Sequence, residues 1–446
     1  MILAMSKRHD VAVVGLGAVG AAVAWRLACR GASVVGFDRY HPPHTLGSTH
    51  GRSRIIREAY YEHPQYVPIV QRAYNLWAEL EEVGRVRLFQ ASGGLMIGTP
   101  ESRLMTGARA SAATHHLAVQ EWTASELRAR VPALTPSPGM IALFEPRAGV
   151  LDPERGVTTM LAQATAQGAD LRFDTAIAHW ETTTDGVVMA TTAGDVVRAG
   201  QVVFAAGGWL SELLPELSSV LTVERAVQYW FPPASDDRFT PAKLPIFLLE
   251  TPDDRWLYGL PDQGHGVKLA AHHEGEITSV DSLRREVSPD ERAAFRALAA
   301  PYVAGLAPAP IDASVCFYTN TPDEHFLLDR HPRHQSVYIV SACSGHGFKF
   351  APALGELVAR EIVEQTTATE LAPFRLSRFA PDPGRAERPN LSSALRAART
   401  RHRQFQEPDI SFHLHVTATR REVRRYVGRQ RISNGPGSRH RPRAAG

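Results

Sequence analysis

Asp10-Val-Ala-Val-Val-Gly-Leu-Gly-Ala-Val-Gly20 runs a short apolar stretch into three glycines spaced Gly15-x-Gly17-x-x-Gly20. Four apolar residues bounded by glycine suit a buried strand, and the alanine-rich continuation through Ala21 to about Cys29 suits a helix. A second apolar run, Ala32-Ser-Val-Val-Gly-Phe37, ends at Asp38, which completes a βαβ opening. In that context each glycine has a job. Gly15 permits the tight turn, Gly17 lets backbone N–H groups approach a pyrophosphate at the helix N-terminus, and Gly20 allows close helix–strand packing. Asp38, 18 residues past the last glycine, is placed to accept from a ribose hydroxyl. The motif does not distinguish NAD from FAD.

Further along, Ala199-Gly-Gln-Val-Val-Phe-Ala-Ala-Gly-Gly208 and Ser336-Val-Tyr-Ile-Val-Ser341, the latter leading to Gly345 and Gly347, also read as buried strands ending near glycine. Together they predict a parallel sheet. The segments 89–142 and 221–315 alternate polar and apolar residues and are richer in Trp, Phe and Tyr, which predicts an antiparallel-sheet domain. The expected class is therefore mixed α/β (α+β), a Rossmann-like domain interleaved with an antiparallel-sheet substrate domain. The expected boundaries are 1–88, 143–220 and 316–380 for the first, and 89–142 and 221–315 for the second.

Composition bounds the function. A chain of 446 residues with 44% hydrophobic and 21% charged residues is long enough for two packed domains and has no uninterrupted apolar span of membrane length. The opening Met1-Ile-Leu-Ala-Met5 is too short for a secretory core and precedes Lys7-Arg8, so a cytoplasmic protein is expected. Three cysteines, Cys29, Cys316 and Cys343, argue against a disulfide framework and a structural zinc site; no metal is expected. Residues 381–446 hold 15 Arg, no Lys and 5 acids, a charge of +10 in a chain of net +3, which leaves −7 for the body. This tail lacks hydrophobic periodicity and is expected to be a loosely ordered, solvated appendage. An electrostatic contact with nucleic acid or acidic lipid is the sharper alternative, and nucleic acid is not the expected partner.

Other clusters carry possible chemistry. Arg52, Arg54 and Arg57 follow turn residues. Lys268 lies in Lys268-Leu-Ala-Ala-His-His273, and Lys349 closes Ser344-Gly-His-Gly-Phe-Lys349, where Gly345 and Gly347 let backbone approach a ligand closely. Cys316 ends an apolar run in Ser314-Val-Cys-Phe-Tyr-Thr-Asn320; alone, it would read as a buried packing residue.

Over residues 9–379 the chain resembles the monomeric sarcosine oxidase and N-methyltryptophan oxidase family of FAD-dependent amine oxidases. The resemblance is carried by "PPHTLGSTHGRSRIIREAYYE" (42–62), "YGLPDQGHGVKLAAHH" (258–273), "CFYTNTPDEHFLLDRHP" (316–332) and "SGHGFKFAPALGE" (344–356). "LAPFRLSRF" (371–379) resembles the C-terminal end of the N-methyltryptophan oxidases. The resemblance implies that Cys316 is the covalent attachment point of FAD, while Cys29 and Cys343 keep a packing role. It implies that Arg57 and Lys349 bind a substrate carboxylate, that Tyr258 and His272 line the substrate cavity, and that Glu62 lies on a loop closing over it. His50 and Arg54, with Ser53 beside them, would flank the flavin. Lys268 would serve the reaction with oxygen, and the backbone of Gly345, His346 and Gly347 would favour negative charge on the reduced cofactor.

Two positions depart from the family pattern. Its acidic–threonine pair is Arg52-Ser53 here, and a glycine before the loop glutamate is Tyr61. The first reverses a charge near the flavin and the second adds bulk near the entrance. The implied reaction is oxidation of an N-methyl amino acid by molecular oxygen in a monomeric enzyme. N-methyl-L-tryptophan is the first choice and sarcosine the next, with cyclic amino acids of the pipecolate or proline type also compatible. A nicotinamide- or flavin-dependent dehydrogenase and a non-catalytic flavin-binding interaction protein are the alternatives from other classes.

Overall fold

The computed structural model describes residues 8–379. The basic tail, 381–446, lies outside the described residues. The opening reads as the sequence requires: strand Arg8–Val14, helix Ala18–Cys29 and strand Val34–Phe37. The two strands pair in parallel, and Arg8–Val14 also pairs in parallel with Val196–Phe204, whose far half pairs in parallel with Val337–Ser341. These strands form the centre of an eight-stranded sheet, edged by an antiparallel hairpin, Ile177–Thr183 with Gly186–Thr191. Their residues are buried on both faces, which is why they read as continuous apolar runs rather than alternating ones. Helix Ala18–Cys29 packs on this sheet beside helix Ala351–Glu364. Cys29, expected as a packing residue, is instead exposed: it ends the helix and points outward, while Leu27 and Ala28 of the same turn are buried.

A second sheet of nine strands lies in the chain segments between, and its register explains the site. Thr222–Phe231 pairs antiparallel with Asp312–Asn320 on one side and Val267–Ala271 on the other; Trp256–Leu260 and Ile246–Glu250 follow outward. The sheet is not wholly antiparallel: Ile246–Glu250 runs parallel to Gly94–Gly98. The boundary expected at residue 316 falls inside strand Asp312–Asn320, whose ladder with Thr222–Phe231 continues on both sides of Cys316.

Successive side chains on a strand point to opposite faces. In this register the odd-numbered Tyr229, Phe231, Phe247, Leu249, Leu257, Val267 and Leu269 share one apolar cluster with Phe295 and Ala299 of helix Pro289–Ala299. The even-numbered Gln228, Leu248, Tyr258, Leu260, Lys268, Cys316 and Tyr318 line a cleft on the other face. One face is core; the other carries polar chemistry. No described helix is long and apolar enough to cross a membrane.

Candidate functional site

A single cleft runs from the ends of the parallel strands, at Gly15, Asp38 and Ala205, to the polar face of the second sheet, at Lys268, His272 and Cys316. At its first end the backbone is shaped for a phosphate-bearing ligand. Gly15 has φ +91°, and a Cβ there would come within 2.6 Å of the Ala205 carbonyl oxygen. A Cβ on Gly20 would stand 1.8 Å from the Gly15 carbonyl oxygen, so helix and turn close only around hydrogen. Gly20 does not line the cleft and packs behind it. Gly17 caps the helix without a side-chain hydrogen bond of its own, and apart from a long 3.4 Å contact from Ala18 N to Thr49 Oγ1 the amide end faces the cleft. Asp38 accepts from Leu16 N at 2.7 Å and Tyr40 N at 2.9 Å, which ties the second strand to the glycine turn while its carboxylate still faces the cleft.

Two buried side-chain atoms that line this cleft, Gln228 Oε1 and Ser341 Oγ, find no hydrogen-bond partner among the described residues. Buried polar atoms are rarely left unpaired, so the cleft calls for a polar ligand. Glycine cradle, open helix end, carboxylate and orphaned acceptors fit a dinucleotide. No group of three or more His, Cys, Asp or Glu among the described residues is placed to hold a metal ion.

Deeper in, the loop after strand Arg54–Ile56 carries Arg57, whose guanidinium is buried. It donates to Ala59 O at 2.7 Å and to both Glu62 oxygens at 3.1 and 3.0 Å, and it lies 4.4 Å over the Tyr60 ring. Burial works to raise the Glu62 carboxyl, and Arg57, aided by His346 and Lys349, overcomes it and holds the group below its ordinary range. The loop is shaped from behind by Glu145, a buried carboxylate that accepts from Glu58 N at 2.7 Å and Ala59 N at 2.8 Å.

Lys349 reaches the same pocket from the loop after strand Val337–Ser341. Its ammonium donates to His346 O at 2.7 Å and to Tyr60 OH at 3.4 Å, while Tyr60 OH shares a 2.7 Å hydrogen bond with His346 Nδ1. Burial, with the Arg57 charge adding to it, pushes the Lys349 ammonium down to about 7. His272, 3.3 Å through Nδ1 from Tyr318 OH, is held well below the ordinary histidine range by burial and by His273 beside it, so its ring is neutral near pH 7. Tyr258, on the same wall, is pushed up to about 12 by burial and stays a phenol.

Cys316 and Lys268 occupy the middle of the cleft. The Cys316 thiol is raised by burial, against the opposing pull of Arg54, and sits 3.5 Å from Ser48 O. Lys268 is buried with two of its three donors spent, on Gly51 O at 2.8 Å and Ser53 O at 2.9 Å; burial, then Arg54, lowers its pKa well below the ordinary lysine value. Ser53, Arg54, Gly345, His346 and Gly347 line the cleft as well. His50 does not. It is buried one layer behind, 3.5 Å through Nδ1 from Ser314 Oγ, with Nε2 unpartnered among the described residues and its pKa lowered to about 4 by burial and Arg54.

Sequence reasoning missed Gln228, Tyr60, Tyr318, Ser341 and Glu145. Gln228 was within reach, since it lies two residues before Trp230 on a strand whose odd positions 227, 229 and 231 are apolar. Glu145 has no local signal, because its partners are backbone amides 86 and 87 residues away.

The family described as FAD dependent oxidoreductase (DAO) matches residues 10–361. The monomeric sarcosine oxidase of Streptomyces avermitilis is 39% identical over 384 residues, covering 85% of this chain and 100% of that protein. An N-methyl-L-tryptophan oxidase from Salmonella dublin is 33% identical over 383 residues, covering 84% and 100%. Among solved structures, NikD, described as an unusual amino acid oxidase essential for nikkomycin biosynthesis, superposes with a TM-score of 0.71 at 24% identity, covering 86% of this chain and 100% of that one. The glycine oxidase of Geobacillus kaustophilus gives 0.69 at 21% identity, covering 84% and 100%. The two structures share the fold.

Proposed function

The chain belongs to the FAD dependent oxidoreductase family, as an amine and amino acid oxidase of the sarcosine oxidase type, and from that premise we propose that it removes the N-methyl group of secondary amino acids. The observation that carries this reading is the Arg57–Glu62 pair. A buried guanidinium fork in the cleft already holds a carboxylate from the protein's own loop, with the Lys349 ammonium beside it, so the pocket is built for a carboxylate. A substrate carboxylate would take the place of Glu62.

FAD would supply the acceptor through which two electrons pass from the amine to oxygen, so that R–NH–CH3, O2 and water become R–NH2, formaldehyde and hydrogen peroxide. Gly15, Gly17 and Asp38 would hold its dinucleotide end, and Ser53, Arg54, Gly345, His346 and Gly347 its ring end, with His50 supporting from behind. Cys316 would anchor it covalently. The remaining work falls to side chains. Arg57 and Lys349 fix the substrate by its carboxylate, and the neutral His272 and the phenolic Tyr258 offer hydrogen bonds to the amine without a competing charge. Lys268 places a positive charge where oxygen gains electrons. Among the described residues the carboxylates lining the cleft are Asp38, at its far end, and Glu62, held by Arg57, so no free carboxylate base stands beside the substrate and the amine would bind neutral.

N-methyl-L-tryptophan is the preferred substrate. The support is an aromatic pair packed behind the clamp: Tyr61, 5.1 Å from the Arg57 guanidinium, packs on Trp256 at 4.8 Å, and Trp256 lies 6.4 Å from His272. Sarcosine is the second reading, favoured by the higher identity to the sarcosine oxidase. A peroxide and formaldehyde assay of the monomer against N-methyl-L-tryptophan, sarcosine, L-pipecolate and L-tryptophan ranks them. Turnover of an N-methyl amino acid with formaldehyde release supports the reading; peroxide from pipecolate alone, or from none of them, sinks it.

Two outcomes follow from single residues. Protein precipitated in acid keeps its yellow colour, and Cys316→Ser loses it all to the supernatant; free flavin from the unaltered protein would refute covalent attachment. Because the Lys349 ammonium loses its proton near pH 7, KM calculated on the substrate form with a neutral amine and an ionised carboxylate rises as pH climbs from 6 to 9. Lys349→Met raises KM at all pH values and removes that slope. A wild-type KM flat across this range would contradict the clamp.

A further inference from the structure

The ammonium of Lys268 is held by a turn that the backbone does not favour. Ser53 N donates to Gly51 O at 2.8 Å across a single residue, Arg52, whose φ is +66°. A three-residue turn of this hand is rare and strained for a residue with a side chain, and such a conformation persists only where its surroundings hold it. The two carbonyls flanking Arg52, those of Gly51 and Ser53, are the acceptors of Lys268 Nζ. On the other side of the turn, Glu154 Oε1 accepts from Gly51 N at 2.7 Å and from Arg52 N at 3.0 Å.

The Arg52 side chain closes the arrangement from above. Strand register places Lys268, Trp230 and Asp312 side by side across three neighbouring strands. Arg52 leaves the turn, lies 4.7 Å over the Trp230 ring and ends on Asp312, with Nη2 2.6 Å from Oδ2. Lys268 Nζ is 5.5 Å from the same ring. An arginine at this position therefore spans the row from the lysine's own turn to the far strand.

We propose that Arg52, latched over Trp230 onto Asp312, is a positioning residue that holds the Gly51–Ser53 turn and so aims the third donor of Lys268 into the cleft for the reduction of oxygen. This rests on the reading of Lys268 as the group that serves the oxygen step, in which O2 takes two electrons from the reduced cofactor and two protons to give hydrogen peroxide. The first electron creates a negative charge on oxygen, and a cation is useful there only if its N–H is aimed at it. The guanidinium and Asp312 are both partly exposed, so the latch reports to solvent.

Rapid mixing separates the half-reactions of the holoenzyme: anaerobic reduction by N-methyl-L-tryptophan or sarcosine, then reoxidation by dissolved oxygen. In Arg52→Ala and Asp312→Asn, reoxidation slows by roughly tenfold while reduction stays within about twofold. Adding Arg52→Ala to Lys268→Met slows reoxidation no further, because the latch acts only through the lysine. Amide exchange in the peptide spanning residues 48–57 accelerates in both latch variants, a readout independent of turnover. Reoxidation at the wild-type rate in both Arg52→Ala and Asp312→Asn overturns the proposal. So does a further slowing of Lys268→Met by the same factor, which would make Arg52 an independent contributor. Wild-type reoxidation in Lys268→Met alone would instead overturn the role of the lysine and the purpose of the latch with it. In that case faster exchange at 48–57 would leave the turn's dependence on Arg52 standing as a structural fact only.

Discussion

With Arg57 replaced by methionine, kcat/KM for the N-methyl amino acid falls by roughly 10²–10³-fold, corresponding to the approximately 3–4 kcal/mol cost of truncating one partner of a buried charge pair. The loss has two sources. The substrate loses its bidentate partner, and Glu62 is left as a buried carboxylate without the guanidinium that now keeps it ionised. Glu62→Gln added to Arg57→Met separates them. Removing the stranded charge restores thermal stability but leaves kcat/KM low, because a glutamine cannot bind the substrate carboxylate in place of an arginine. Lys349 does not compensate, since its ammonium is pointed by His346 O and is already marginal in charge near pH 7. Steady-state kinetics together with a melting curve on the three proteins check this. An Arg57→Met enzyme within threefold of wild type would remove the carboxylate clamp from the account.

Lys268→Met slows reoxidation by roughly 10²–10³-fold and leaves reduction by substrate within about tenfold of wild type. Methionine fills nearly the same volume on the buried strand Val267–Ala271, so no cavity opens, and what disappears is one preorganised positive charge. Burial opposes that charge in the resting cleft. A reduced, anionic cofactor in the cleft would favour it again, which would keep the lysine charged for the oxygen step. Rapid-mixing traces of the two half-reactions decide the matter. Equal slowing of both would make Lys268 a general structural element.

Much of the fold was legible because its signals are local. Gly15, Gly17 and Gly20 meet their steric limits within one turn of chain, and Asp38 lies at the end of the next strand. The buried strands around Val11, Val202 and Ile339 announced themselves as continuous apolar runs, since both of their faces are covered. The second sheet was harder. Its alternation was visible, but which strands pair is a matter of contacts far apart in sequence, and a one-residue shift would turn Lys268 and Cys316 toward the apolar side. The boundary expected at 316 cuts a strand for the same reason, as nothing local to Cys316 says that its strand pairs with Thr222–Phe231.

The site divides similarly. Arg57, Lys349, Tyr258 and His272 were named from a resemblance of ordered motifs, and the structure gathers them in one cleft. Tyr60, which touches both Lys349 and His346, sat unread inside the quoted motif. Glu145 acts through backbone amides of residues 58 and 59, which composition and spacing do not reveal. Cys29 had the apolar setting of a core residue and is exposed, because which side of a helix's final residue faces the core is set by distant packing, and here Leu27 and Ala28 face inward while Cys29 does not. Arg52 stood out in the sequence only as a reversed charge near the flavin; the register of Lys268, Trp230 and Asp312 gives it a place.

The central claim is that the bond broken lies in the N-methyl group. The direct measurement is anaerobic single-turnover reduction with substrate deuterated in turn at the N-methyl and at the α-carbon, followed by product analysis. The account predicts that deuterium in the N-methyl group slows reduction severalfold, that α-deuterium does not, and that formaldehyde and the primary amino acid appear in equal amounts. A primary isotope effect at the α-carbon, with a 2-oxo acid and methylamine as products, would contradict it.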